Sequence, residues 1–564
     1  MRTLLILPTL VAALSFVASD LSFAVDKAVL EKWIAEFQPC AISKEEQMQE
    51  LEWFAQAAEP YKGRAIKSVA EDIKTHIWES EVLTRAFEEI TGIKVTHDIV
   101  GERDVVDRLQ LQIQTNRKLY DIYVNDADFI GTHLRLDSAL NFTEYMTGEG
   151  KDVTNPYLDL DDFLNLEFGQ DYDGNQLQIP DQQFANLYWF RYDWFTNPDF
   201  MQEFQEKYGY ELGVPLNWEA YEDIAEFFTG KKIDGQTVYG HIDYGKKSPS
   251  LGWRFTDAWL SIAGVGDQGI PNGLPVDEWG IRVENGIPVG ASVERGGAAN
   301  GPAAVYALTK YVDWLNKYAP PFAASMTWSE SGSMPARGNI AQQIFLYITW
   351  LSDDNFHKPP VADENGNPFW RVAPTPHGKY WDEGMKVGYQ DAGSWTILKD
   401  SVTGDDRAMA WLWAQFCISK TVDLKKFLVG NTPIRKSTIF SDYLTEHADY
   451  YGGLIEFYRS PEEKKWTDSG PNVPHYPLLA EQWWMNIAPA VTGKVTPQEA
   501  MDNIAAAMDD IMGKLQLKKF SPVLNARRDR AYWLNQPGAP KPERPDQQPS
   551  TMPYDEMMKQ WKRK

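Results

Sequence analysis

Cysteine is nearly missing: Cys40 and Cys417 are the only two in 564 residues. That excludes a disulfide-stapled scaffold and a cysteine-built metal site. Two readings stand for the pair: one bridge closing a very long loop, or two separate thiols with Cys417 in the helical run 410–419. Histidine is scarce too, at 8 residues, and no H-E-x-x-H joins any of them, so no metal is implied. No G-x-S-x-G nucleophile elbow occurs, and no repeat of fixed period. Positive charge is in the minority, 55 Lys and Arg against 80 Asp and Glu. The net charge of −25 leaves no basic surface for nucleic acid. After the N-terminus no apolar run reaches membrane-spanning length. Two motif matches fail on context. Gly264–Gly269 fits G-x-G-x-x-G but follows a helical run and precedes Pro271, so no helix start can receive a pyrophosphate. Asp171, Asp173 and Asn175 imitate a calcium loop, yet Gly174 comes too early and Gln182 stands where a Glu is needed, so a turn is expected. No cofactor is implied.

What the chain has in quantity is aromatic residues, with 22 Trp, 26 Tyr and 26 Phe. Most should fill cores, and any left in a cleft offers a flat apolar face to the C–H face of a sugar or polyol. The length calls for two or more lobes. Residues 1–24 read as a secretory signal peptide: Arg2, the apolar run Leu4–Val17, and Ser22-Phe23-Ala24 as the cleavage site. The expected location is the periplasm. Residues 25–61 read as two amphipathic helices forming an N-terminal extension, and 521–564 as a tail, rich in proline from 536 onward, that is loosely ordered or wrapped on the surface.

Between them, strands at Ala65–Ala70, Ile93–Ile99 and Tyr120–Val124 alternate with helices at Ser80–Ile90, stopped by Gly92, and Asp104–Asn116. This order predicts an α/β fold with a parallel sheet and right-handed crossovers. Ligands of such sheets sit beyond the carboxyl ends of the strands, here Glu71–His76 and Asn125–Asp128. The stretch Gln176–Phe195 stands out: an apolar entry through Pro180, the polar step Asp181-Gln182-Gln183, then an aromatic strand.

Several phrases resemble the extracellular solute-binding proteins of carbohydrate ABC importers. They are Phe87–Val95 (FEEITGIKV), Tyr120–Tyr123, the Ile179-Pro180 strand followed by Tyr188–Asp193, Pro215–Trp218, Gly338–Ala341, Tyr389–Trp395 and Thr432–Ser437. The resemblance spans about 62–520. Pro180–Arg191 and Gly252–Trp259 more narrowly resemble the glycerol-transport binding proteins of rhizobia and relatives. The family implies a two-lobed type II periplasmic binding fold with three crossing segments at its hinge. On that pattern 62–178 and 331–390 form lobe 1, and 179–330 and 391–520 form lobe 2. It also implies a clamp that closes on a small polyol or sugar and delivers it to a membrane-embedded permease, as a monomer and without catalysis.

A neutral polyhydroxylated ligand needs paired donors and acceptors plus an aromatic platform. The predicted lobe edges supply Asp181, Gln182 and Gln183 at the first crossing, Trp328 and Glu330 beside the second, and Asp391 and Trp395 at the third. Trp253 and Arg254 offer a platform and a donor, while Glu71, Thr75 and His76 follow the first strand. Asp126 and Asp128 follow the third strand, with helix capping as their other reading. Glycerol or a related polyol is the first choice of ligand, a mono-, di- or oligosaccharide the second. A secreted glycoside hydrolase is the reading from another class, and needs two carboxylates facing across a cleft. A lectin-like module is a further one.

Overall fold

β1 (Ala65–Glu71) buries Ile66, Ser68, Val69 and Ala70. The helical stretch after it ends in Thr84–Thr91, which seats Ala86, Phe87 and Ile90 in the core. Gly92 closes that helix at φ 73°, a left-handed turn that costs a glycine little. β2 (Lys94–Val100) returns parallel to β1, and β3 (Ile122–Asn125), reached through the helix Glu102–Thr115, pairs parallel with the other edge of β1. β4 (Ile179–Pro180) forms the far edge, where a proline removes no central hydrogen bond. Between β3 and β4 lies Ser394–Thr396, antiparallel to both. In this computed structural model the described residues are 26–126, 129–267, 276–284, 287–466, 476–515, 523–537, 541–545 and 547–562. The expected signal peptide and Asp128 lie outside them.

A second sheet is built on β5 (Phe184–Arg191), every residue of which is buried. Gln342–Tyr347 and Trp370–Ala373 flank it antiparallel, and Gln390–Asp391 pairs with its first two residues. The chain passes between the two bodies at 181–183 and again at 392–393. It passes a third time around the helix Lys420–Gly430, whose Val422 packs in the first core and Leu424 and Phe427 in the second. The first two crossings touch. The amides of Asp181 and Gln182 donate to the Gly393 carbonyl at 2.8 and 3.1 Å, and a Cβ on Gly393 would stand 2.6 Å from Gln182 Nε2.

The expected lobe membership is reversed for the strands between 342 and 390 and for the first part of 391–520. Residues 331–390 were assigned to lobe 1 and 391–520 to lobe 2, but 342–391 pair with β5, while Trp395, Trp413 and Phe416 fill the first core. Residues from Ile439 to Met512 then pack into the second core. β5 has two open edges, and both are taken by strands far along the chain, which local pattern does not reveal.

The N-terminal helices, Lys27–Glu36 and Lys44–Ala57, form as expected, the second started by a Ser43/Glu46 capping box. They belong to the first lobe: the rings of Phe37 and Phe54 meet Phe416 at 6.4 and 5.3 Å. Buried Glu50 accepts hydrogen bonds from the Thr421 amide, the Thr421 hydroxyl and Asn155. The tail wraps the second lobe. Thr551–Met552 pairs with Val214–Pro215, and the helix Tyr554–Trp561 buries Met557 and Trp561. Both cysteines are free thiols, Cys417 buried in the first core. Asp171 folds a turn, its Oδ1 accepting from the amides of Asp173 and Asn175. Among the described residues no helix is long and apolar enough to cross a membrane.

Candidate ligand cleft

The carboxyl ends of β1 and β3 and the start of the helix after β2 carry Glu71, Asn125, Asp126 and Glu102 to one edge of the first sheet. The crossings add Gln182 and Asp391 to that edge. From the second lobe Phe184, Tyr244, Trp253, Trp328 and Tyr347 face them. Two adjoining, nearly closed hollows result, of about 30 and 10 Å³, and Glu71 and Glu102 line both. The walls differ in character: first-lobe carboxylates and amides on one side, aromatic rings with the Ser250 and Thr349 hydroxyls on the other. The rings brace one another edge to face, Phe184 on Tyr347 at 5.1 Å and Trp328 on Tyr347 at 6.0 Å. Trp253 closes the outer side and also lines a wider vestibule with Arg103, Gln110 and Trp484.

Burial, and then the neighbouring Asp126, push the Glu71 carboxyl up to about 7. Burial raises Asp126 as well, opposed by a hydrogen bond with Asp391. Gln182 Nε2 donates to Glu71 at 3.4 Å, which fixes the amide with its Oε1 facing away and, among the described residues, unpartnered. Asn125 is fixed likewise: its Nδ2 donates to the Asp126 carbonyl, and its Oδ1 has no partner among the described residues.

Behind this wall lies a second cluster, sealed from solvent. The Lys426 ammonium sits 2.6 Å from Asp181 Oδ1 and 2.5 Å from Glu79 Oε1, and all three side chains are fully buried. Trp395 Nε1 donates to the same Asp181 oxygen at 2.5 Å. His76 contacts the Glu71 carbonyl through Nδ1 at 3.0 Å, and its Nε2 stands 3.5 Å from Asp181 Oδ2. Both partners only accept, so the doubly protonated ring fits best. Burial works against that charge, yet the Asp181 contact and Glu79 outweigh it, and the His76 pKa lies above the ordinary range. Burial likewise opposes ionisation of Glu79, but Lys426 and His97 hold it down at about 2. His76, Glu79 and Asp181 have the spacing of a metal-binding set, but Lys426 already supplies the positive charge between the two carboxylates.

Of the residues expected to meet a ligand, the structure brings Glu71, Asp126, Gln182, Trp253, Trp328 and Asp391 to the hollows, with His76 at the inner edge. Six others go elsewhere. Asp181 and Trp395 belong to the Lys426 cluster. Gln183 is fully buried and donates to the Leu164 carbonyl while accepting from Asn165 and Gln390. Thr75 contacts Thr432 beneath the surface. The Arg254 guanidinium is spent on Asp243, at 3.0 and 2.9 Å, in the interior of the second lobe. Glu330 caps its own helix at Thr327 and is solvent-facing. Sequence reasoning missed Glu102, Asn125, Phe184, Tyr244, Ser250, Tyr347 and Thr349. The rule that places ligands beyond strand ends pointed at the first two, since Glu102 follows β2 and Asn125 ends β3. The others come from loops and edges that acquire a direction only in the folded lobe.

Residues 65–423 match the profile of the bacterial extracellular solute-binding proteins, and the chain belongs to that family. Its fold is the two-lobed type II periplasmic binding fold. It is similar to a solute-binding protein from Agrobacterium radiobacter K84 solved with ribitol, at 18% identity and TM-score 0.62, over 80% of this chain and 99% of that one. It is similar also to an Agrobacterium vitis S4 solute-binding protein with bound D-mannitol, at 15% identity and TM-score 0.59, over 81% and 100% of the two chains. A third likeness is to maltose-bound MalE3 of T. maritima, at 18% identity and TM-score 0.59, over 79% and 100%.

Proposed function

We propose that this protein captures a small polyol or carbohydrate between its lobes and hands it to the membrane permease of an ABC importer. The observation that carries the reading is the two-faced hollow at the crossings, with hydrogen-bond acceptors on the first-lobe wall and aromatic rings on the second. Hydroxyl groups donate to Glu71, Asp126 and Asp391, and the C–H face of the ligand rests on the rings. Both walls are needed to satisfy one ligand, so binding favours the closed arrangement, which the permease would read. Delivery takes place outside the cytoplasm, in keeping with an extracellular family.

Glycerol or a related polyol is the first choice, and the confined space favours it over an oligosaccharide. The ribitol and mannitol bound by the two Agrobacterium proteins are of the same class. Thermal-shift and calorimetric titrations with glycerol, ribitol, mannitol and maltose test the reading, because a ligand of the native state raises its melting midpoint. Saturable binding of a polyol supports it; no response to any member of the panel, or turnover of a chromogenic glycoside, defeats it.

A further inference from the structure

We infer that Trp253 sets the upper size of the solute, its indole dividing the space between the lobes into an inner seat and an outer vestibule that the solute does not enter. The inference rests on the solute-binding reading and adds the residue that decides how large a solute is accepted.

Two voids of very different size meet at this ring. Inside it lies the hollow of about 30 Å³, room for about two water molecules. Outside it lies the vestibule, about 230 Å³, between the first-lobe helix Glu102–Thr115 and the second-lobe helices Pro249–Trp253 and Tyr476–Val491. Among the described residues Trp253 alone lines both. The two sides also differ in chemistry. Glu71, Asp391, Ser250 and Thr349 converge on the inner side. On the outer side Arg103 and Asp107 are paired with each other and 63% and 64% exposed, so water already serves them and a solute gains little there.

The chain holds the indole in place from both sides. Gly252 has no side chain, and a Cβ there would stand 3.0 Å from the Trp484 ring and 3.3 Å from Trp483 Cβ. The missing Cβ lets the short helix lie against Tyr476–Val491, where the Trp253 and Trp484 rings meet edge to face at 6.5 Å. Arg254, the next residue, is fastened to Asp243 in the interior at 3.0 and 2.9 Å, and a wider π-helical stretch starts there. Trp253 Nε1 has no hydrogen-bond partner among the described residues. Packing therefore sets the ring's position, and shortening the side chain orphans no partner. With the indole gone, hollow and vestibule become one space, and a sugar ring attached to a seated polyol has room to lie.

The test is titration calorimetry on the full chain with matched pairs that share a polyol and differ by one sugar ring: glycerol against glucosylglycerol, and sorbitol against maltitol. In a pair whose polyol binds the parent, the glycosylated member should bind about tenfold or more weakly than that polyol. Trp253→Ala should shrink the gap by about tenfold or more, by tightening the glycosylated member. Trp253→Leu keeps an apolar side chain against Trp484 and carries the same test if circular dichroism shows the alanine variant unfolded. Leu478→Ala, at a residue 50% exposed that lines the vestibule and not the hollow, should leave the gap within about threefold of the parent. A glycosylated member that binds the parent as tightly as its polyol overturns the inference and makes the vestibule part of the seat. Equal weakening of both members in the Trp253 variants overturns it too, as does a gap that narrows equally in Leu478→Ala; all three leave the polyol reading standing. No binding of any member by the parent defeats that reading and the inference with it.

Discussion

Replacing Asp181 separates two roles for the residue at the first crossing. Its carboxylate serves three donors at once: Trp395 Nε1, the Lys426 ammonium and His76. Asp181→Ala leaves all three without that acceptor in a site closed to water. Breaking a buried ion pair by removing one partner costs about 3–5 kcal/mol. Lys426 keeps Glu79 at 2.5 Å, so the loss should not exceed that range. Asp181→Asn retains an acceptor oxygen and should cost only about 1–2 kcal/mol. Neither variant touches the hollows, so the ligand dissociation constant should stay within about threefold of the parent, a difference below 1 kcal/mol. Urea denaturation followed by far-UV circular dichroism gives the stabilities, and calorimetry on the folded fraction gives the affinities. The pH dependence adds a check. The His76 pKa is raised, so its share of stability is complete below the unfolded value and is lost as pH rises through the folded one. That loss should flatten in Asp181→Asn. A stability change below about 1 kcal/mol with a more than tenfold loss of affinity would refute the reasoning and return Asp181 to the ligand.

Three further outcomes follow from the same geometry. The folded Glu71 carboxyl holds its proton to about pH 7, whereas the unfolded one releases it near 4.5, so folding is penalised progressively across that window. Glu71→Gln should stabilise the ligand-free protein at pH 8 by about 1–2 kcal/mol, discounted for partial exposure, and do little at pH 4; equal effects at both pH values exclude a raised Glu71. Gly393→Ala sets a Cβ 2.6 Å from Gln182 Nε2. The crowding should cost about 1–3 kcal/mol in a chemical melt and weaken ligand binding, and parent-like titrations would show that the crossings have room to spare. Trp561→Ala empties a site in which the ring is 2% exposed and packs 5.5 Å from Phe457, so the second lobe should lose about 3 kcal/mol in urea melts. An unchanged midpoint would mean the tail is not fastened there.

Legibility in the sequence tracked the range of the interaction. The first lobe's strands and helices emerged within a few residues because Ala86, Phe87 and Ile90 fall on one helical face and Gly92 ends it, signals contained in a short window. The crossing at 181–183 was also readable, since Pro180 interrupts one strand pattern just before another begins. The lobe membership of the strands between 342 and 390, and of the first part of 391–520, was not, because it depends on which sheet each strand joins. The polar step shows the same limit one residue at a time. Asp181, Gln182 and Gln183 look equivalent as letters, yet only Gln182 reaches the hollow. Asp181 turns inward toward Lys426, a partner 245 positions away. One clue was present: Lys426 falls four residues after Val422, on the apolar face of its helix, where a lysine demands a buried carboxylate.

The antiparallel pairing of Thr551–Met552 with Val214–Pro215 bears on the order of assembly. The second lobe is begun near residue 184 and closed only when a strand far along the chain arrives, while the first lobe waits for Ser394–Thr396 to fill the gap between β3 and β4. Neither body can reach its final form as an early N-terminal unit, and contacts of such long span form slowly. A polypeptide destined for the far side of a membrane gains from that delay. It remains threadable while it crosses, and the strand Thr551–Met552 with the helix after it locks the second lobe late.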